Sequence, residues 1–328
     1  MDNKIKGCIF GGAIGDALGY PIEFYGNTQL HNEFESIENF EMMLDRNGKA
    51  IFSDDTQMTI FTAAALGDSD GEDFIHTMHK YYMMWLATQQ STEKIYGSWV
   101  TTVDELYVCR APGNTCLGSL NSGKIGSIAN KINNSKGCGG VMRVAPIGCV
   151  YSNSDKAFKF GVDAAAITHG HIIGYVSAGA FAMLISRIIH QDEKLIDSVK
   201  YMCKYILDSY GNDENTAYLI KLIVKAARLA ANKEINDMDA INQIGEGWVA
   251  EEALAISVYC ALRHYNSYEN AIKAAVYHKG DSDSTGAITG NIMGAKLGYG
   301  AIPKKYLEVI EQTTTLNKTV SVLLNAKE

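Results

Sequence analysis

The sequence predicts an all-α protein, and three observations carry that prediction. No stretch alternates apolar and polar residues with the period of two that a half-buried strand requires. Apolar residues instead recur at helical spacing in segment after segment, joined by short polar turns. Two glycine sets spaced four apart, Gly7, Gly11, Gly15, Gly19 and Gly286, Gly290, Gly294, Gly298, mark two helices that each carry a glycine face. The 328 residues include only four prolines and no Ser/Gly-rich or charged divider, so one domain over residues 1–328 is expected.

Residues 5–20, IKGCIFGGAIGDALGY, form the first predicted helix. Each interior glycine costs a helix about 0.5–1 kcal/mol relative to alanine, so four on one face point to a second backbone packed there. A membrane-dimerising face is excluded because the run is short and carries Asp16. The two glycine helices are expected to cross closely, which would set the N-terminal segment beside Asp281 and Asp283. Gly19-Tyr20-Pro21 ends the first helix, and Glu23 follows.

Residues 26–50 are polar and irregular and read as a loop. Phe52-Ser53-Asp54-Asp55-Thr56 then runs into QMTIFTAAAL, an amphipathic helix pattern. A helix over 73–88 follows, whose stripe of Tyr81, Tyr82, Met83, Met84 and Trp85 reads as core. From Arg110 to Pro146 the chain is turn-rich and full of Gly, Asn and Ser. Thr168-His169-Gly170-His171 opens an apolar helix over 172–190; histidines at i, i+2 do not share a helical face, which speaks against a zinc pair. Further helices are predicted near 194–209, 214–231, 249–264, 268–277, 287–297 and 303–311.

Apolar residues make up 47% and charged residues 20%, ordinary values for a soluble globule. The net charge of -8, with no Lys/Arg cluster, speaks against nucleic-acid backbone binding as the main activity. Seven cysteines, odd in number and without a C-x-x-C pair, fit reduced thiols of a cytoplasmic protein. Met1-Asp2-Asn3-Lys4 carries no secretory pattern, and no apolar run is read as long enough to span a membrane.

The stretch His278–Ala287, HKGDSDSTGA, concentrates chemistry. Carboxylates two residues apart beside hydroxyls at a helix start either cap that helix or hold a hard cation such as Mg²⁺ or Mn²⁺. An EF-hand is excluded, since the twelfth position from Asp281 is Ile292 rather than Glu. Ser53-Asp54-Asp55 is a second cluster of the same kind, and two of them point to a shared binuclear site. The run 133–143, NNSKGCGGVMR, lets backbone N–H groups approach a ligand, with phosphate the usual guest, or else is an ordinary long loop. It is neither a P-loop nor a G-x-G-x-x-G.

Together GDALGYPIEF (15–24), FSDDTQMT (52–59), SKGCGGVMRVAPIG (135–148), TH (168–169) and GDSDSTGAITGNIMGA (280–295) resemble the ADP-ribosylglycohydrolases. That family includes dinitrogenase reductase-activating glycohydrolase and the ADP-ribosylarginine hydrolases. RAPGNTC (110–116) and GWVAEEAL (247–254) look like the arginine-hydrolase-like branch, and the resemblance runs from residue 7 to about residue 300. It implies a compact orthogonal multi-helix fold and two Mg²⁺ or Mn²⁺ ions at one end of a cleft. By motif position Ser53, Asp54 and Asp55 would be ligands from one helix start, and Asp281, Asp283 and Ser284 from the other. Asn134, Ser135, Lys136, Gly137, Cys138 and Gly139 would line the pyrophosphate loop, His169 the distal part of ADP-ribose, and Gly247 and Trp248 the adenosine end. Asp55 is the expected general base, Asp283 an essential catalytic ligand, and Glu23 a carboxylate that positions or gates the ribose. Relatives often carry Thr where Ser53 stands, and some carry Asn where Cys138 stands.

The implied activity is metal-dependent removal of ADP-ribose from an ADP-ribosylated protein, by cleavage of the N-glycosidic bond to arginine, with ADP-ribose as product. The alternatives are hydrolysis of serine-linked or nucleic-acid adducts, a two-metal phosphoesterase, and a catalytically silent ADP-ribose-binding protein. No membrane or nucleic-acid partner is expected.

Overall fold

The computed structural model describes residues 1–69, 73–191, 193–211 and 213–327. Among these the protein contains sixteen α-helices and no strand, only isolated bridges at Ala50–Ile310 and Gly137–Val249. In order the helices are α1 (Asp2–Gly19), α2 (Asn27–Phe34), α3 (Asp54–Asp68), α4 (Phe74–Gln90), α5 (Asn114–Asn121), α6 (Ala145–Val150), α7 (Ser154–Ala166) and α8 (Ile172–His190). They continue as α9 (Leu195–Tyr210), α10 (Glu214–Ala231), α11 (Asp237–Ile244), α12 (Ala250–Arg263), α13 (Tyr268–Val276), α14 (Ser282–Leu297), α15 (Lys304–Val309) and α16 (Thr313–Asn325).

The predicted all-α class holds, and the strongly periodic helices fall within a few residues of their expected bounds. The segment read as a loop over 26–50 contains α2, whose only buried residue is Leu30, so no apolar stripe announces it. The turn-rich stretch 110–146 contains α5 and the start of α6, and α7, α11 and α16 are additional helices. In α16 three threonines open a segment of weak helix formers. Leu316, Val320 and Leu323, buried on one face, supply the packing that propensity does not.

The apolar segment at α8 also departs from the reading of the sequence. It is long and apolar enough to cross a membrane by length and composition, but 89% of its apolar window is buried inside the protein. It packs on α6, α7, α9, α12 and α14 as the central helix of the core. A second, smaller apolar cluster joins α10, α11, α12 and α13 through Leu222, Ile241, Ile256, Tyr259 and Ala274.

The crossing of α1 and α14 positions the site. The two helices run antiparallel with their glycine faces in register. A Cβ added at Gly7 would lie 2.2 Å from the Gly294 carbonyl oxygen, one at Gly11 2.4 Å from that of Gly290, and one at Gly15 2.0 Å from that of Gly286. Backbones this close exclude any side chain from the seam. Asn291 Nδ2 donates to the Cys8 carbonyl at 2.8 Å, and Tyr268 Oη donates to the Gly11 carbonyl at 2.7 Å. At the far end Ser282 Oγ donates to the Gly19 carbonyl at 2.9 Å, tying the start of α14 to the end of α1. Gly298 closes the near end of the seam: it ends α14 with φ +82 against the Asn3 side chain of α1, and its carbonyl carbon lies 2.8 Å from where a Gly7 Cβ would stand.

Candidate functional site

Three helix ends meet at one point: the last turn of α1 and the first turns of α3 and α14. Ser53 caps α3, its Oγ accepting from Asp55 N at 3.2 Å. Asp281 caps α14, its Oδ1 accepting from Ser284 N at 3.4 Å, and Asp283 Oδ1 accepts from the same N–H at 2.9 Å. Gly280, at φ +124, turns the chain into α14 and presses against the Glu246 carbonyl, so only glycine fits there.

Asp16 is the residue that joins these ends, and the sequence carries no local sign of it beyond a lone acid on a glycine face. Its Oδ1 accepts from Ser53 N at 2.8 Å, and its Oδ2 accepts from Thr56 N at 3.0 Å and Thr56 Oγ1 at 2.5 Å. A fully buried carboxylate from α1 therefore caps α3 from outside. Arg110 is a second unforeseen support. Its Nη1 donates to the Phe52 carbonyl at 3.1 Å, and it grips Glu311 through both Nη atoms, at 3.1 and 3.3 Å. This holds the segment leading into Ser53.

Asp16, Glu23, Asp54, Asp55, Asp281 and Asp283 thus gather without a Lys or Arg ion-pair partner among the described residues. Oxygens of Glu23, Asp281 and Asp283 lie within 4.8 Å of one another. Asp55 Oδ2 and Glu23 Oε2 are buried with no hydrogen-bond partner. Burial, and then the Asp283 charge, push Asp16 up to about 7 and Glu23 up to about 9. The same two causes hold Asp54, Asp55 and Asp281 well above the carboxylate range.

A carboxyl whose folded pKa exceeds its unfolded value keeps a proton in the folded chain that the unfolded chain has lost. In the absence of a cation, stability contributed by these groups is present below pH 3.8–4.5 and is lost as pH rises through about 7 for Asp16 and about 9 for Glu23. A bound divalent cation offsets that loss by favouring the ionised carboxylates. The rise in Tm produced by Mg²⁺ or Mn²⁺ over chelator should accordingly grow between about pH 5 and about pH 9. A rise that stays constant across that range contradicts the coupling.

Asp54, Asp55, Asp281 and Asp283 form the floor of a cleft of about 490 Å³, and Asp16 lies behind them. Glu23, Phe24 and Trp248 form one side of its lining; Gly137, Cys138, Gly139 and His169 form another. His169, 1% exposed, pairs its Nδ1 with Thr168 Oγ1 at 2.9 Å. The buried Arg143 donates to that same hydroxyl at 2.7 Å, which also reaches the Ala165 carbonyl at 3.5 Å. Burial, and then the Arg143 charge, depress His169 to about 3, so the ring is neutral beside the glycine loop. Phe24 and Trp248 stack with centroids 5.7 Å apart at 20°, although 76% and 39% exposed.

The structure brings Glu23, Asp54, Asp55, Gly137, Cys138, Gly139, His169, Trp248, Asp281, Asp283 and Ser284 to the cleft wall. Five expected site residues lie behind or beside it. Ser53 is buried under the floor. Asn134 is exposed, while Ser135 Oγ meets Thr115 Oγ1 at 2.9 Å and accepts from Gly137 N at 3.2 Å, bracing the loop. Lys136 turns to Glu251 in an ion pair, and Gly247 packs on Asp281 and Thr285 with φ +91.

A model of the ADP-ribosylglycohydrolase family matches residues 1–328. ADP-ribosylhydrolase ARH3 of Mus musculus is 23% identical over 97% of this chain and 91% of its own. An uncharacterized protein of Archaeoglobus fulgidus is 27% identical (98% and 96%), and ADP-ribosylhydrolase ARH1 of Dictyostelium discoideum is 22% identical (98% and 94%). Among solved structures, an ADP-ribosylglycohydrolase-related protein complex superposes with a TM-score of 0.66 at 20% identity, covering 100% of this chain and 99% of that one. The family match spans the helix ends, the carboxylate floor and the glycine loop alike, and the chain belongs to the ADP-ribosylglycohydrolase family, with hydrolysis of ADP-ribosyl bonds as its activity.

Proposed function

We propose that this protein, working as one domain over residues 1–328, is a metal-dependent hydrolase that frees ADP-ribose from ADP-ribosylated protein by cutting the N-glycosidic bond to arginine. The residues fit divalent cations: unpartnered buried oxygens on Asp55 and Glu23, and clustered carboxylates without an internal counter-ion, form a site that lacks positive charge. Ser53, Asp54 and Asp55 from α3 and Asp281, Asp283 and Ser284 from α14 would hold two Mg²⁺ or Mn²⁺. Bound there, such ions would supply a water of lowered pKa and a template that orients the sugar.

The chain's own groups do the rest. Asp55, with one oxygen uncommitted, takes the proton of the attacking water. The loop at Cys138 and Gly139 lines the place for the pyrophosphate; a side chain at Gly139 would collide with Cys116 Sγ at 2.9 Å. His169 meets the distal part of the ligand with its neutral ring. As positive charge develops on the ribose, the nearby carboxylates stabilise it.

The observation that carries the arginine reading is Glu23. Its unpartnered carboxyl oxygen beside the exposed rings of Phe24 and Trp248 suits a planar cationic guanidinium, which stacks on aromatic faces and pairs with carboxylates. Arginine-linked and serine-linked ADP-ribosyl peptides incubated with Mg²⁺ test it. Release from the arginine peptide is expected; release from the serine peptide alone overturns the linkage. Glu23→Gln should lower kcat/KM for the arginine peptide by about ten-fold or more, the worth of a charged hydrogen bond.

A further inference from the structure

A positive charge lies buried behind the glycine loop with no anion to meet it. Arg143 is 0% exposed, and a guanidinium stays protonated in a protein interior. Arg110, Arg187 and Arg263 each pair with a carboxylate; Arg143 pairs with none among the described residues. Its Nη1 donates to Cys116 Sγ at 3.4 Å and to Met58 Sδ at 3.6 Å. Its Nη2 donates to Thr168 Oγ1 at 2.7 Å and to the Ala164 carbonyl at 3.1 Å. The guanidinium lies 4.2 Å from the centroid of the Tyr82 ring, and Nε is buried without a partner. Burial pushes the Cys116 thiol and the Tyr82 phenol up, so both stay protonated. Every partner of this cation is therefore uncharged. A charge buried in that way is costly unless an opposite charge offsets it.

The place of the cation shows where an opposite charge would sit. Cys116 and His169 both line the cleft and both border Gly139, where an added Cβ would meet Cys116 Sγ at 2.9 Å and the His169 ring at 3.3 Å. Arg143 holds these two side chains from behind, Cys116 directly and His169 through Thr168. The cleft is thus polarised, with carboxylates on its floor and one fixed cation behind the glycine loop. Charges inside a protein are screened far less than charges in water, so that cation is felt across the wall.

We propose that Arg143 is a specificity-determining residue for the anionic part of the ligand: its buried charge, acting through the wall of Cys116 and His169, draws the diphosphate of ADP-ribose to the glycine loop and away from the carboxylate floor. The inference rests on the reading above that gives this loop to the pyrophosphate. The diphosphate takes no part in the bond cleavage, so the charge acts alike on bound substrate and transition state. Its removal should raise KM and leave kcat close to the wild-type value.

Two variants separate charge from structure. Arg143→Lys keeps the charge and gives up the planar fork, whereas Arg143→Gln keeps hydrogen-bond donors and gives up the charge. The full-length proteins are titrated with ADP-ribose in Mg²⁺ by calorimetry, and KM and kcat are measured on whichever ADP-ribosyl peptide wild type cleaves. Arg143→Gln should bind ADP-ribose about ten-fold or more weakly, with KM raised alike and kcat within about three-fold of wild type. Arg143→Lys should recover most of that affinity. A Gln variant that binds as wild type does, Lys and Gln variants that are equally weak, or a loss confined to kcat overturns the proposal.

Should the Arg143 variants fail to fold, Cys116→Asp and Cys116→Asn put the question with Arg143 in place. A carboxylate at the position of Cys116 Sγ would pair with the guanidinium. The Asp variant should then melt above the Asn variant without ligand and bind ADP-ribose about ten-fold or more weakly than it. A pair alike in either measurement overturns the proposal. Wild type that binds no ADP-ribose removes the pyrophosphate reading of the loop as well, whereas tight wild-type binding that ignores the Arg143 charge removes this inference alone.

Discussion

Gly290→Leu is expected to abolish the native fold rather than to weaken it. A Cβ at this position would stand 2.0 Å from the Gly11 carbonyl oxygen and 2.7 Å from its carbonyl carbon, both backbone atoms that no rotamer change can move aside. Relief requires α1 and α14 to separate along the whole seam, since the Gly7, Gly11 and Gly15 contacts share one register. Separation would also break the Ser282–Gly19 and Asn291–Cys8 hydrogen bonds and draw Asp16 away from α3. The loss should reach about 4 kcal/mol or more, the range of exceptional single substitutions. Gly11→Leu should behave alike, because its Cβ meets the Gly290 oxygen at 2.4 Å. Urea unfolding followed by far-ultraviolet circular dichroism measures both; a pair as stable as wild type contradicts the crossing as the organising contact.

Asp283→Asn should separate stability from activity. Asp283 supplies the leading neighbouring charge that raises Asp16, Glu23, Asp54, Asp55 and Asp281. Removing that charge relieves repulsion, so the metal-free variant should melt at or above the wild-type temperature. Turnover should nonetheless fall by about 10³-fold, the scale seen when a preorganised electrostatic group is removed from a reacting centre. Melting curves in chelator and ADP-ribose release under Mg²⁺ give the two numbers. Activity within about ten-fold of wild type would place the cation elsewhere.

The sequence disclosed the glycine seam because its signal is periodic: spacing of four on two helices is a statement about faces, and faces must be covered. The acidic clusters were legible for a related reason, since SDD and GDSDS each put carboxylates and a hydroxyl in one helical turn. Asp16 was not legible as a cap, because its partners Ser53 and Thr56 are distant in the chain and a lone acid on a helix has no local signature. Spacing likewise placed Ser135 and Lys136 on the glycine loop, but it does not say where a side chain turns, and Thr115 and Glu251 decide that. Arg143 stood in a quoted motif without a role. Only the fold shows that it orients Thr168, and through it the ring of His169. Helix α2 was invisible for want of an apolar stripe, and α16 because packing overrides its composition.

The most direct test of the metal-centred hydrolysis is turnover by chelator-stripped protein on an arginine-ADP-ribosylated target, with products identified by mass spectrometry before and after Mg²⁺ or Mn²⁺ is restored. The proposed chemistry requires silence without the ion, and with it the release of intact ADP-ribose and unmodified arginine. Equal release in chelator, or a nucleotide product from cleavage of the pyrophosphate, would contradict it.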